Sequence, residues 1–401
     1  MNIRTCKTIQ GRRKLVEKLC KTGLSNIGMY PAEAERASFK NCENMIGVTH
    51  VPLGIAGPIR ITSCRMSRVA CHDYYLPLAT TEGALVASVN RGCKAISESG
   101  GSTVFVEEVG VTRGPVFKTT GLGQSMALKK WIEDHERELQ KSAQVTSAHL
   151  TLKKFGIRIA GRYVFVRFYF DTQDAMGMNM ATIAASAMVR VIEKATHVHC
   201  VSLAGNFDVD KKPSWLNALS GRGKRVWAEV TLSKRTLKDT LKTTARRMYE
   251  TWIAKCMVGS AMSGSMGYNA QFANVIASLF IATGQDPGHV VEGSLGVTTT
   301  EVVEAGGLSV SVYLPDLMVG TVGGGTGLAA QREALALLGV AGGNKGKNAQ
   351  TFAGIVAAAV LAGEISLLAS LSEGTLAAAH KRLARGKRMT NDKSINKHMN
   401  G

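Results

Sequence analysis

Several residues in this 401-residue chain have types and settings that could move protons or stabilise an anion. Asp210-Lys-Lys-Pro213 follows Gly205-Asn206 in a polar stretch. A lysine in a half-buried loop can donate to a developing oxyanion while its neighbour pairs with a carboxylate; on an open surface the same cluster is only solvated charge. Glu82 sits among small and apolar residues in Leu78-Ala-Thr-Thr-Glu-Gly-Ala84. A carboxylate there is either a helix-start residue favoured by the dipole or a proton donor of raised pKa. Asp286, in Gly284-Gln-Asp-Pro287, follows a helix, where an acid is disfavoured by the dipole, although Asp before Pro is also an ordinary turn former. His380 lies near the end of an Ala-rich helix, a favourable place for imidazolium with or without catalysis. Asp174-Ala-Met-Gly-Met-Asn179 joins a strand to a helix. Gly177 at the helix entrance would let phosphate or ribose approach backbone N–H groups, while the methionines fit a core equally well.

The elements that must position these groups read as follows. Residues 1–49 form a helical lead-in, with Leu15, Leu19 and Leu24 near helical spacing. The segment 51–58 is turn-rich and apolar, and 79–97 is helical, with Thr80 and Thr81 as caps and Glu82 in the first turn. Within 115–203, helices are expected over 127–142 and 178–195 and strands over 162–170 and 197–203, which makes a small α+β sandwich. A polar loop over 204–224 precedes a strand (Val226 to Leu232) and a helix through Leu237, Leu241 and Met248. An Ala-rich helical region covers 256–284, a strand 308–314, and helices 328–339 and 351–384. The apolar run 352–371 carries Glu364 in its middle and is dominated by Ala and Gly, which favours a buried helix over a membrane span.

The net charge of +19 attracts anions: nucleic acid, an anionic membrane or a polyphosphorylated cofactor, unless it is a solvated basic surface. No helix-turn-helix, zinc-finger or RRM signature accompanies it, and aromatics are only 6%, which argues against nucleic acid. None of the eight cysteines forms a C-x-x-C pair, as expected in a reducing compartment. The basic N-terminus lacks an apolar core and a cleavage site, so a soluble cytoplasmic protein is expected, with a mitochondrial one the lesser alternative. The Rossmann fingerprint occurs only in its relaxed form, Gly325-Thr-Gly-Leu-Ala-Ala330, with no clear strand leading into it; a phosphate loop and a G-x-S-x-G elbow are missing, and Asp208-Val-Asp210 lacks the remaining EF-hand ligands, so no metal is expected. Pattern alone leaves an anion-binding, Gly-rich enzyme of open chemistry.

Taken in order, the motifs narrow this further. The chain carries Glu43-Asn-Met-Ile-Gly47, Pro52-Leu-Gly-Ile-Ala-Gly-Pro58, Ala79-Thr-Thr-Glu-Gly83, Asn90-Arg-Gly-Cys-Lys94, Thr112-Arg-Gly-Pro115 and Asp174-Ala-Met-Gly-Met-Asn179. Asp210-Lys-Lys-Pro213, Gly221-Arg-Gly-Lys224, Gly259-Ser-Ala-Met262, Gly284-Gln-Asp286 and Gly320-Thr-Val-Gly-Gly-Gly-Thr326 follow. This succession, spanning about residues 40–386, resembles the 3-hydroxy-3-methylglutaryl-CoA (HMG-CoA) reductase family, and Thr-Thr-Glu-Gly resembles its class I branch rather than class II. The resemblance implies an α+β fold: an N-terminal helical domain (1–49), a large HMG-CoA-binding domain (50–114 and 204–386) built on a central helix, an inserted ferredoxin-like NADP-binding domain (115–203), and a basic tail (387–401). It implies reduction of (S)-HMG-CoA to (R)-mevalonate and CoA with two NADPH, in the mevalonate pathway of isoprenoid biosynthesis.

Carried over by motif, the resemblance makes Lys211 the oxyanion donor, and Glu82 the proton donor, its pKa raised by burial and coupled to Lys211 and Asp286. His380 protonates the departing CoA thiolate. Arg113, Asn206, Asp210, Lys212 and Asn274 fall to the hydroxymethylglutaryl part, and Ser88, Asn90, Arg91, Lys94, Lys242 and Lys255 to CoA. Ser147, Asp174, Ala175, Met176, Gly177, Met178, Asn179, Met180, Gly324 and Thr326 fall to the nicotinamide cofactor. Active sites shared between subunits of a homodimer, or of a dimer of dimers, are implied, with no nucleic acid, membrane or metal. The chain departs from the family in several places. Gln271 stands where His is usual, and Gly267 where a glycine pair is. Thr146-Ser-Ala-His149 replaces Thr-Ser-Arg, a 2′-phosphate contact, which leaves NADH as the lesser alternative to NADPH. Gly386 replaces the regulatory serine of animal members, and no membrane anchor like that of eukaryotic relatives is expected.

Overall fold

The computed structural model describes residues 3–63 and 72–374. The strands among them are β1 (Leu53–Ser63), β2 (His72–Ala79), β3 (Ser102–Arg113), β4 (Val116–Lys118), β5 (Thr151–Ala160), β6 (Tyr163–Asp171), β7 (His199–Ser202), β8 (Arg222–Leu232), β9 (Val297–Val303) and β10 (Gly307–Leu317). In the larger half β9, β10, β8 and β3 pair antiparallel in that order. β1 joins β3 in parallel, and β2 pairs with β1. β3 then crosses into the smaller half: Thr103 to Gly110 pair with β8, and Val111 to Arg113 pair with β6. Its last residue, Arg113, is thereby delivered to the seam between the halves.

The smaller half has strand order β7-β4-β6-β5, all antiparallel. Helices Leu122–Asp134 and Glu136–Gln144 lie between β4 and β5 in the chain, and helix Met178–Thr196 between β6 and β7. This is the β-α-β-β-α-β order of a ferredoxin-like sandwich. Phe117, Leu128, Ile132, Val164, Phe168 and Met188 form its separate core.

The larger half is built around helix Lys347–Ser372, in which every residue from Phe352 to Ser366 is buried. A helix with no solvent face needs no polar stripe, and small residues let its neighbours come close. By length and composition it could cross a membrane, yet nearly all of it is enclosed by protein. Helix Leu85–Glu98 crosses it at Gly92, where a Cβ would stand 1.9 Å from the carbonyl oxygen of Ala362. Glu364, in the middle of the core helix, accepts N–H bonds from Ala270 (2.8 Å) and Gln271 (2.7 Å) and the Thr298 hydroxyl (2.6 Å). Burial pushes its carboxyl above the ordinary range, and those three bonds oppose the shift.

Local structure departs from expectation in several places. The turn-rich segment 51–58 opens β1. The helix expected over 79–97 starts only at Leu85, because β2 runs to Ala79 and Ala84 takes a left-handed φ of 76°. The helix expected over 127–142 is two, divided at His135, whose ring bonds back to the Trp131 carbonyl. The Ala-rich region 256–284 is broken by a left-handed Gly264 between a π-helical turn, Ile253–Gly259, with its short continuation and helix Phe272–Thr283. The loop expected over 204–224 contains helix Trp215–Ser220.

Candidate active site

Two hollows flank the loop 206–213. The first, about 650 Å³, is lined by Arg113, residues 175–180, Asp210, Lys211, Asp286 and the glycine-rich turn Gly323–Thr326. Lys211, held in a left-handed turn (φ 54°), donates from Nζ to Asp286 Oδ2 at 2.6 Å. Asp286 begins the turn Pro287–His289, and its Oδ1 accepts from the Gly288 N–H at 2.9 Å. Burial alone would raise the Asp286 carboxyl, but the Lys211 and Gly288 bonds outweigh it and hold the pKa below the usual carboxylate value. At neutral pH the pair is therefore an ammonium facing a carboxylate at the cavity wall.

Behind the pair lies buried charge. Arg222 Nη2 donates to Asp210 Oδ1 (2.9 Å), Nη1 to Glu292, and Nε to the Thr112 hydroxyl (2.7 Å). Burial lowers the Arg222 pKa, but Asp316, Glu292 and Asp210 more than restore it, leaving a permanent cation. Asp210, His289 and Glu292 bring ligand atoms within 4.8 Å of one another, and Arg222 bonds both carboxylates of that group. Arg113 is aimed by Asp208 (3.1 Å) and by two bonds to the Thr182 hydroxyl (2.7 and 3.0 Å). Lys212 donates to the Asp210 carbonyl at 3.1 Å.

On the opposite wall Gly177 caps the 19-residue helix Met178–Thr196, so its free N–H groups open toward the cavity. The glycine-rich turn is pressed against the loop carrying Asp286. A Cβ on Gly284 would stand 2.3 Å from the Gly325 oxygen, and one on Gly325 would stand 2.5 Å from the Gly284 oxygen. Gln285 fixes this crossing by accepting from Gly320 N (2.9 Å) and donating to Gly320 O (3.0 Å). Backbone donors at a helix entrance beside bare glycine backbone suit an anionic cofactor.

Asp174, expected at the cofactor, is turned into the scaffold. It is 4% exposed, and its carboxylate accepts from the N–H groups of Asn344, Gly346 and Ala349. It thus closes the N-terminus of the core helix, where an anion meets both the dipole and unpaired donors. Asp174→Ala leaves those donors without their acceptor and is expected to lower stability by about 3 kcal/mol. Chemical denaturation measures this; a loss below about 0.5 kcal/mol would remove the capping role.

The second hollow, about 1060 Å³, is lined by Pro213, Lys255, Gln271, Asn274 and Val291, among others. Asn274 Nδ2 reaches Glu82 Oε1 at 3.5 Å. Glu82 is exposed rather than buried, because its turn projects from the end of β2. Among the described residues no hydrogen bond or ion pair joins it to Lys211 or Asp286.

The residues expected at CoA are scattered. Arg91 turns inward and donates to Ser366 O (2.6 Å) and Ser370 Oγ (2.5 Å), and Ser88 bonds Ser366 Oγ (3.0 Å). Asn90 accepts from the Gly57 N–H at 2.9 Å. These three secure the helix they stand on, whereas Lys94 and Lys242 are exposed. Ser147 lies in the turn before β5, where its hydroxyl accepts from His149 N, and it is not among the residues lining the first cavity. Asn206 occupies an exposed left-handed turn (φ 60°). His380 and the tail lie outside the described residues.

Residues 8–385 match the family model described as hydroxymethylglutaryl-coenzyme A reductase. The chain belongs to that family. Proteins named 3-hydroxy-3-methylglutaryl-coenzyme A reductase from Methanothermobacter thermautotrophicus and Methanocaldococcus jannaschii are 45% and 47% identical to it over 381 and 380 residues. The alignments cover 95% and 93% of this chain and 94% and 92% of theirs. The fold also matches the class II HMG-CoA reductase from Streptococcus pneumoniae solved bound to NADPH, with a TM-score of 0.67 at 20% identity, covering 92% of this chain and 98% of that one. In this reductase Gln271, where the family usually has His, donates to Gly363 O at 2.6 Å and so braces the second hollow against the core helix. Arg222 and Gln285, quoted above only within motifs, and His289 and Glu292, not singled out at all, stand around the Lys211–Asp286 pair. The i,i+3 spacing of Asp286, His289 and Glu292 is the signal that could have drawn attention to them.

Proposed function

We propose that this chain is a class I, NADPH-dependent HMG-CoA reductase that converts HMG-CoA to mevalonate and CoA in two reductions. The observation that carries the reading is the Lys211–Asp286 pair on the wall of a cavity whose other wall is the Gly177 helix entrance and a glycine-rich turn. NADPH, when bound, supplies the hydride for each reduction. Lys211 lies where an ammonium can neutralise the oxyanion that forms as the thioester carbon becomes tetrahedral, and Asp286 fixes its direction. Arg113 and Asp210, each held by buried partners, are arranged to grip the hydroxymethylglutaryl carboxylate and hydroxyl. The exposed Lys94, Lys242 and Lys255 remain available to CoA phosphates. His380 protonates the CoA thiolate, so that it cannot re-attack the aldehyde, and Glu82 delivers a proton to the product oxygen.

Asn274 and Lys255 line the second hollow, and Glu82 meets Asn274 at its edge in the same chain. Their approach to Lys211 is assigned to a second copy. Exposed Trp215, Leu219, Val258, Met262 and Val291 near that hollow and the adjoining loop are the apolar surface such a copy would cover. We assign a cytoplasmic homodimer, alone or paired into a dimer of dimers. Ala148 removes the cation that would meet a 2′-phosphate, so NADH is kept as the lesser alternative. The test is nicotinamide absorbance with purified protein, HMG-CoA, and NADPH or NADH in parallel. Oxidation of two NADPH per HMG-CoA is expected; no oxidation with either cofactor by a folded dimer would overturn the reading.

A further inference from the structure

The run Gly342-Gly-Asn-Lys-Gly-Lys347 fails the phosphate-loop pattern yet carries two lysines. A chain of contacts leads to it from the reacting centre. Lys211 and Asp286 mark the end of the first cavity where a nicotinamide must lie, and the Gly177 helix entrance with the turn Gly323–Thr326 suits a pyrophosphate. Beside that turn Val322 bridges to Ala175. A Cβ on Gly343 would stand 3.6 Å from Val322 Cγ1, and one on Gly346 would stand 3.5 Å from Gln173 Cα. A dinucleotide that starts at Lys211 and crosses Gly177 therefore runs its adenosine end toward the loop 342–347. The N–H groups of Asn344 and Gly346 are already taken by the Asp174 carboxylate at 2.5 and 2.7 Å, so what the loop offers is side chains. Lys345 is exposed and has a φ of 50°, in a loop whose Gly342 and Gly346 are left-handed too; glycine adopts that backbone freely and a residue with a Cβ does not. Lys347, also exposed, is the first residue of the 26-residue core helix, where the dipole disfavours a cation. Among the described residues neither ammonium has a carboxylate partner. Two unpaired cations are thus kept at unfavourable backbone positions on the rim of the cofactor cavity.

We propose that Lys345, with Lys347 beside it, recognises the 2′-phosphate of NADPH and so decides which nicotinamide this enzyme uses, in place of a cation at Ala148. A phosphate monoester carries more than one negative charge at neutral pH, whereas NADH has only a hydroxyl at that position. Lysine suits the task because its ammonium is a compact charge on a flexible stem, able to reach a phosphate from an exposed loop. The loop belongs to the larger half of the molecule. Gln173 and His149, joined at 3.2 Å, belong to the smaller half and stand across from it. A phosphate held by Lys345 therefore lies on the seam between the halves. The inference rests on the reading of this chain as a nicotinamide-dependent reductase, and adds the element that selects the nicotinamide.

The experiment measures, by calorimetry, binding of NADP⁺, NAD⁺, adenosine 2′,5′-bisphosphate and CoA to full-length parent, Lys345→Gly and Lys347→Gln proteins. The parent is expected to bind NADP⁺ about tenfold or more tightly than NAD⁺. Lys345→Gly is expected to weaken NADP⁺ and the bisphosphate about tenfold, with NAD⁺ and CoA within about twofold of the parent. Glycine relieves the left-handed backbone, so the melting temperature of this variant should equal or exceed the parent's, and its lost affinity is not lost fold. Lys347→Gln is expected to weaken NADP⁺ about threefold. Added salt should weaken NADP⁺ more than NAD⁺ in the parent, and the difference should vanish when both lysines are replaced. A Lys345→Gly protein with the parental ratio of NADP⁺ to NAD⁺ affinity would overturn the proposal. So would a parent that binds the two cofactors equally, or a variant that loses CoA in place of NADP⁺. These arms need neither HMG-CoA nor turnover, so the inference and the reductase reading fail separately.

Discussion

Lys211→Ala is expected to reduce kcat/KM for HMG-CoA by about 10²–10³-fold, roughly 3–4 kcal/mol of transition-state stabilisation. The ammonium sits at the cavity wall, fixed by Asp286 at 2.6 Å. A donor directed at charge that exists only as the carbonyl becomes tetrahedral acts on kcat more than on ground-state binding. The fold should survive. The Lys211 side chain is 41% exposed, so its ion pair is screened and contributes less than about 1 kcal/mol to stability. Asp286 keeps the Gly288 N–H as partner. Lys211→Arg should not restore the rate, because a planar guanidinium takes a bidentate grip on Asp286 instead of presenting a compact charge to the oxyanion. Steady-state kinetics with thermal unfolding as control gives the answer. Near-parental turnover by a folded Lys211→Ala enzyme would remove the lysine from the chemistry.

The sequence made the small α+β unit and the buried core helix legible because both depend on short-range pattern. Apolar alternation over 162–170 marks β6, and an Ala-rich run with one acid marks a helix enclosed by protein. β3, β5 and β9 were less legible. β3 carries Glu107 and Glu108 inside a strand, and only Arg225 and Lys224 across the sheet explain them. β5 is interrupted by Gly156 and studded with Lys and Arg, so its period of two is obscured. At the site, motif order brought Arg113, Asp210, Lys211, Asp286 and the 175–180 turn to one cavity. The same reasoning placed Asp174 and Arg91 at ligands, and what it could not show is that both also bond to the core helix or its entrance. A motif residue that holds the scaffold and one that holds substrate look alike until their hydrogen-bond partners are known. His289 and Glu292 escaped notice for the converse reason. Their partners are carboxylates and an arginine drawn from separate segments, a juxtaposition that only the folded chain creates.

An equal mixture of Glu82→Gln and Lys211→Ala chains, each nearly inactive alone, is expected to recover about a quarter of parental activity once subunits reassort. The arithmetic follows from symmetry. If each site takes Glu82 from one chain and Lys211 from its partner, a mixed dimer has one intact site and one carrying both substitutions. Random pairing makes about half the dimers mixed, and half of their sites work. The structural basis is the different company the two keep among the described residues: Glu82 is exposed and meets Asn274, which lines the second hollow, while Lys211 meets Asp286 in the first. Both substitutions fall on exposed side chains, so each variant should dimerise as the parent does. Co-expression of the two chains under different tags, followed by sequential purification, isolates the mixed dimer, whose specific activity should be about half that of the parent. Inactivity of that species in a folded dimer would mean that Glu82 and Lys211 act within one chain, and that the loop 206–213 must move to bring them together.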